Sequence, residues 1–503
     1  MPLTRLLARF GMRHREHVSV ARDFSVYSGV NLVSLVLLLG TGLMLRRYIG
    51  ALLAGLWTGL EVLPIYAGYA HLGVFNAAER ELPYLLGARR TTDFDRLKHT
   101  LLWLSHALGV LMAAALLIAA FTLRSRVSTP FFIGMIVYSP MLWIQTVATY
   151  YLLIYRARKR FVALSGRQGA ANVIKAGLTM GGGYLWGLYG VFAGLLIASG
   201  AQLLLFRAGL DDRFERVFDR ALLGPLLREG VPMLAGAAAF DTLRTADRIV
   251  IGLALGAEAL GIYSVTQIIC QGVFYLPNTL SLVMYPRFQA RYGETQDAAS
   301  LRKFVELPLH VLADVLLAAT AILFVALPPA IRTFLPAFEG TIAPLRVMLV
   351  GTYFLCLAPP AGQLLLTIHK QVPVLFIGVP AMALALLGAY VGARYGLVGV
   401  ANGVSAACVV EFAVLNAYAF SQFDRGLSIA GRLIALMATA ALWLGAALLV
   451  ERLVPAGPAP IAMVGGWRLL AVALLAAPLL LRAAKRIRAF QVPHPVDMTG
   501  GGD

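Results

Sequence analysis

Charge is what this sequence has least of. Only 14% of its 503 residues are Asp, Glu, Lys or Arg, whereas a soluble chain needs roughly a quarter to cover its surface. That shortfall excludes a soluble globular protein and any count of soluble domains from length. Cysteine is scarce too. Cys270, Cys356 and Cys408 sit singly in apolar segments, without metal-ligand spacing or a disulfide framework, and read as small buried hydrophobes. No Gly-rich phosphate loop stands out, because "GGGY" (181–184) falls inside an apolar run where small residues let helices approach. No catalytic pair or metal cluster is visible, no connection is long enough for a soluble domain, and no cofactor is implied. The basic N-terminus is not followed by a short cleavable apolar core: the next stretch is of full membrane length and ends in Arg46-Arg47, so it reads as a span.

What the chain does have is apolar length. Hydrophobic residues make up 59% of it and mean hydropathy is +0.77. A helix needs about 20 mainly apolar residues to cross the hydrocarbon. Fourteen stretches qualify, centred near residues 35, 62, 111, 142, 178, 197, 243, 271, 315, 355, 383, 408, 440 and 473. The predicted class is therefore an all-α polytopic membrane protein. Residues 1–23 read as a basic amphipathic N-terminus, with Leu3, Leu6, Leu7 and Phe10 at the spacing of a surface-lying helix. Residues 24–207 hold spans 1–6, 208–229 a basic linker, 230–420 spans 7–12, 429–483 spans 13–14, and 484–503 a C-terminal tail.

Of the 43 Lys and Arg, 31 fall in the two tails and the even-numbered connections and 7 in the odd-numbered ones. Basic connections stay cytoplasmic, so both termini are expected there, in keeping with the even span count. The net charge of +18 is then a topology signal with an affinity for anionic membrane lipid, and not a nucleic-acid footprint.

The chain also repeats itself. "GALLAGLW" (50–57) matches "GAEALGIY" (256–263), and Tyr184 and Tyr189-Gly190 of "YLWGLYGVFAG" match Tyr390 and Tyr395-Gly396 of "YVGARYGLVGV", both at an offset of 206 residues. Spans 1–6 thus recur as spans 7–12. Because six is even, the halves insert in the same direction, an arrangement of transporters with a path between the halves.

Span 7 breaks the apolar rule. "FDTLRTADRIVIG" (240–252) carries Asp241, Arg244, Asp247 and Arg248, which share one face of about 120° on a helix advancing 100° per residue. Two readings stand. The four charges pair internally and staple span 7 to a neighbour, or the arginines face a lumen and grip an anion such as phosphate, which suits their planar fork. Lys175, in span 5, either snorkels or joins that lumen. Arg46 and Arg47, at the end of span 1, read as interfacial anchors. Glu61, Asp314 and Glu411 are intramembrane acids that serve as proton or sodium relays or as neutral core groups. His71 and His106 read as satisfied packing residues. Pro64, Pro140, Pro277, Pro359-Pro360 and Pro380 mark kinks, either structural or hinges between the halves.

On these residues the chain resembles the multidrug/oligosaccharidyl-lipid/polysaccharide (MOP) exporter superfamily, in its polysaccharide-transporter, O-antigen-flippase-like branch. "DTLRTADRIVIGLALGAEALGIYSV", "LPNTLSLVMYPRFQARYG", "YGLVGVANGVS", "LRRYIGALLAGLW" and "LGVFNAAERELPYLLG" carry the resemblance, which extends over roughly spans 1–12. It implies two six-helix lobes in a V, alternating access, and a polyprenyl-pyrophosphate-linked oligosaccharide as cargo for cell-surface polysaccharide, lipopolysaccharide included, at the bacterial inner membrane. In the related lipid II flippases a cationic lumen holds the pyrophosphate and spans 13–14 form a groove for the lipid tail. Arg244 and Arg248, flanked by Asp241 and Asp247, fit the first feature and the two extra spans the second, although the arginine pattern of those flippases is not reproduced. The competing functions are a multidrug antiporter of the same superfamily, against which the arginines argue, and a membrane subunit that docks other polysaccharide biosynthesis proteins without flipping lipid. A ligase or polymerase would carry a large outer loop, which is missing.

Overall fold

The computed structural model describes residues 14–210, 218–423, 427–453 and 461–489. The surface helix expected around Leu3 to Phe10 lies outside them. Among the described residues nine helical stretches are long and apolar enough to cross a membrane. Three of these, Gly29–His71, Phe161–Arg207 and Gln371–Phe420, each fold back at a glycine and make two passes. Leu223–Val250, too charged to qualify by composition, and Ile461–Ala489 complete the fourteen spans. The chain is a multi-pass membrane protein.

The fold-backs show where the repeat lies. Gly50 (φ 80, ψ 169) and Gly256 (φ 89, ψ 178) adopt one left-handed, extended conformation, open to glycine and strained for other residues, 206 residues apart as the sequence indicates. The second pair is corrected. The left-handed turns fall at Gly187 (φ 59, ψ −140) and Gly396 (φ 72, ψ −159), which are 209 residues apart, so "WGLYGVFAG" (186–194) aligns with "YGLVGVANG" (395–403). The tyrosine match at 206 is out of register. The backbone decides: beyond each turn the chain packs on itself so closely that a Cβ on Gly190 would strike the Gly182 backbone, and one on Gly403 the Gly388 backbone.

Spans 1–6 and spans 7–12 each pack as a helical group, and spans 1, 2 and 8 share a large interface between the groups. Near the two equivalent glycine turns the halves cross backbone to backbone. A Cβ on Gly55 would collide with the Ala257 carbonyl, and one on Gly261, its counterpart in the repeat, with the Ala51 carbonyl. This reciprocal contact lies about a local two-fold relation between spans 2 and 8. Past the far end of span 2, Gly73 and Gly230 exclude a Cβ on one another in the same way, and Arg80 pairs with Glu229. The halves therefore touch at both ends of span 2.

Pro64, Pro140 and Pro380 lie inside continuous helices. Pro359-Pro360 instead start a new segment, Pro359–Thr367, after span 10 breaks at residues 356–358. The helix of span 7 starts at Leu223. Leu427–Leu453 and Ile461–Ala489 pack on span 9, Arg302–Phe334.

A buried charge network between the halves

Arg46 is the centre of the network, and its burial corrects the reading of an interfacial anchor. Arg47 is exposed as expected, but Arg46 is 1% exposed, among the largest fully buried side chains. The cause is the turn at Gly50, which folds span 2 back along span 1 and brings Trp57, Thr58 and Glu61 to Arg46. Arg46 Nη2 donates to Thr58 Oγ1 at 3.2 Å, Nη1 to the Gly42 carbonyl at 3.1 Å, and Nε to Ser264 Oγ of span 8 at 2.6 Å. The guanidinium lies 4.9 Å from the Trp57 ring centroid and 3.8 Å from Glu61. Thr58 and Ser264 are equivalent positions at the 206-residue offset, so one arginine is held by the same site of both halves. No sequence motif marked it; the clue was the adjacency of two arginines, which a helix points about 100° apart, so that both cannot face the same interface.

The first turns of span 7 are exposed at Val231 and Met233, whereas its charged stretch is packed among neighbours, and its charges do not act as one patch. Leu243, beside the charges, is fully buried. Asp241 faces the first half and accepts from Tyr69 Oη at 2.8 Å. Beside it, Tyr66 Oη shares a hydrogen bond of 2.8 Å with Thr245. Arg244 lies 3.8 Å from Asp241, as the internal-pairing reading expects, and its guanidinium sits over Phe274 at 4.3 Å and Phe240 at 5.7 Å, a cation–π cradle. A quarter of its side chain (25%) remains exposed. Asp247 is buried, accepting from Tyr263 Oη at 2.9 Å and from the Arg248 backbone N–H at 2.7 Å. Arg248 is 5% exposed and its Nε has no hydrogen-bond partner. It lines a cavity among spans 7, 8, 10 and 12, within the second half.

The other candidates are dispersed. Glu61 joins the network through Arg46. Lys175 is exposed on span 5, on the helical face that carries Gln168 and Asn172, which bond to each other at 3.1 Å. Asp314 accepts from Arg486 of span 14 at 2.6 Å, and Glu306, two turns earlier on span 9, pairs with Arg432 of span 13. These two ion pairs fasten the last spans to span 9. Glu411 is buried in span 12 and its Oε2 has no partner. His71 accepts from the Gly73 N–H at 3.0 Å and stacks on Phe75, while His106 accepts from Trp143 Nε1 at 3.2 Å; both are satisfied packing residues. Among the described residues no group of three or more His, Cys, Asp and Glu could hold a metal ion. Spans 10, 12 and 13 form an open apolar groove of about 530 Å³, lined by side chains including Phe354, Val409, Ile434, Met437 and Leu444.

The architecture is that of two six-helix repeats around a buried polar centre. Residues 89–290 match the family model described as "Polysaccharide biosynthesis protein". Among solved structures, the chain is similar to the lipid II flippase MurJ in its inward closed conformation, with a TM-score of 0.71 and 12% identity over 91% of this chain and 99% of that one. It is also similar to an inward-facing multidrug resistance MATE family transporter of the MOP superfamily (TM-score 0.60, 19% identity, 83% and 96% covered) and to MATE in the bent conformation (TM-score 0.55, 19% identity, 88% and 99% covered). No curated protein matches the chain in sequence. The chain has the MOP-superfamily transporter fold.

Proposed function

We propose that this protein is a flippase that carries a polyprenyl-pyrophosphate-linked oligosaccharide across the bacterial inner membrane by alternating access, for cell-surface polysaccharide synthesis. The observation that carries this reading is Arg46, a buried arginine held by both halves, with the partly exposed Arg244 nearby on span 7. Glu61 and Asp241 each stand 3.8 Å from their arginine, beyond hydrogen-bond length. A pyrophosphate entering between the halves offers those guanidinium forks shorter, bidentate partners, so cargo displaces the internal carboxylates. Asp247 and Arg248 brace the site from behind. Lys175 lies on the path through the first half, and the apolar groove beside span 13 takes the polyprenyl tail. Both termini face the cytoplasm, the linker over 208–229 joins the lobes, and the contacts at Gly55–Ala257 and Gly73–Gly230 are the outer and inner closures. A cationic drug as cargo is disfavoured, because it would have to enter between the halves beside Arg46, Arg244 and Arg248. Glu61, Glu411 and the Arg486-paired Asp314 are the acids available for proton or sodium coupling.

The experiment is the transbilayer distribution of lipid-linked oligosaccharide in cells lacking the protein, with rescue by wild type, Arg46→Ala or Arg244→Ala. Flipping predicts build-up in the inner leaflet, cleared by wild type and not by either variant at equal expression. Absence of any build-up overturns the reading and moves the protein to the role of a secretion-complex subunit.

A further inference from the structure

The cavity inside the second half lies behind Arg244, which lines it together with Asp247, and reaches back to Arg248. Its volume is about 30 Å³, room for a couple of waters or one monatomic ion and far too small for a pyrophosphate. Arg248, Gln267, Gln271 and Thr352 present polar groups to it, and Cys270 and Cys408 close it. Arg248 is the telling member. Its guanidinium is buried, its Nε is unpartnered, and both oxygens of the adjacent Asp247 are turned to other donors, Oδ2 to Tyr263 and Oδ1 to the Arg248 backbone.

The surrounding charges leave the Arg248 guanidinium without a direct carboxylate partner. Arg248 is near enough to act electrostatically on both Arg46 and Arg244. Arg46 and Arg248 are almost wholly enclosed. The side chains of Glu61 and Asp241 are 35% and 37% exposed and are screened by solvent. The enclosed charges are the cations of Arg46 and Arg248 and the carboxylates of Asp247 and of Glu411, which acts on Cys408 at the cavity wall; Asp247 has both oxygens engaged elsewhere, and a buried cation is stable only when paired and hydrogen-bonded. Gln267, whose Oε1 also lacks a donor, can turn its amide so that the NH₂ faces inward, since the O and N positions of an amide are interchangeable in shape.

We infer that this cavity binds a monatomic anion of halide size, held by Arg248 with the Gln267 and Gln271 amides and the Thr352 hydroxyl as donors. The anion neutralises the rear of the charge network independently of what passes between the halves.

The test uses the purified full-length protein in detergent. Its thermal unfolding is followed while bromide replaces gluconate at constant ionic strength, for wild type, Arg248→Gln and Arg248→Lys. Wild type shows a saturable rise in unfolding temperature. Arg248→Gln weakens the apparent bromide affinity by at least about tenfold, the scale of one lost charge-assisted hydrogen bond, and Arg248→Lys falls between. Anomalous diffraction from bromide-grown crystals places a peak in the cavity, which keeps the inference testable if Arg248→Gln does not fold. Equal bromide responses in wild type and Arg248→Gln, or a cavity holding only water in the bromide crystal, overturn it. Lipid flipping is read separately, so either outcome leaves the transport proposal standing or falling on its own experiment.

Discussion

Arg46 Nε donates to Ser264 Oγ at 2.6 Å across the boundary between the two halves, while its Nη2 donates to Thr58, the residue equivalent to Ser264 in the repeat. The duplicated hydroxyl position has thus become a two-sided clamp on one unduplicated arginine. The corresponding position in the second half is Gly252, so the arginine itself is not repeated.

Arg46→Lys tests whether charge alone suffices. An ammonium keeps the charge but cannot fork to Ser264, Thr58 and Gly42 at once. The expected result is a folded protein that fails to clear lipid-linked oligosaccharide from the inner leaflet. The unfolding free energy should fall by about 1.5–3 kcal/mol, three charged hydrogen bonds lost and two regained. Rescue equal to wild type would show that the fork is dispensable.

The crossing at Gly55 and Gly261 tolerates no side chain. Gly55→Val or Gly261→Val forces the helices apart at the closure near the glycine turns, so the protein should be trapped open on that side. A thiol reagent supplied from the outside should then label Ser264→Cys several-fold faster in the valine background than alone. Unchanged labelling would mean that the helices re-pack without opening.

Asp314 and Arg486 are candidates for charge reversal. Asp314→Arg alone sets two cations together and should lower stability by about 3 kcal/mol or more. Asp314→Arg with Arg486→Asp restores the pair and should restore most of the loss and of the transport. If stability returns but transport does not, Asp314 acts as an ion relay as well as a fastener.

The left-handed turns are predicted to tolerate alanine poorly. Gly187→Ala and Gly396→Ala should each lower stability by about 1–2 kcal/mol, seen as a lower unfolding temperature. Gly177→Ala, in a helix with open space around it, should be neutral or slightly stabilising. Equal effects at all three positions would contradict the turn assignment.

Filling the apolar groove beside span 13 separates tail from head-group recognition. Ala441→Trp, at its lining, should leave the protein folded and reduce flipping of long-chain cargo more than of a short-chain analogue. Equal loss for both would remove the groove from the lipid path.

The class of fold was legible because it depends on local quantities: apolar length, loop charge and glycine positions in a duplicated chain. These settled the helical membrane architecture, the repeat and the unusual charge of span 7. The register of the second repeat pair was misread because tyrosines matched by chance, whereas the backbone demanded glycine at 187 and 396. Angular position on span 7 indicated one charged face, yet Asp241, Arg244, Asp247 and Arg248 meet different surroundings, because Asp241 turns to span 2 and the others to span 8 and the cavity within the second half. Arg46 was assigned to the membrane surface from its distance along the chain. Only the tertiary structure, by folding span 2 back at Gly50 and setting span 8 against both, could bury it. Sequence by itself determines which segments leave water; which of their few charges end up facing one another depends on helix packing over separations of hundreds of residues, and that the tertiary structure alone decided.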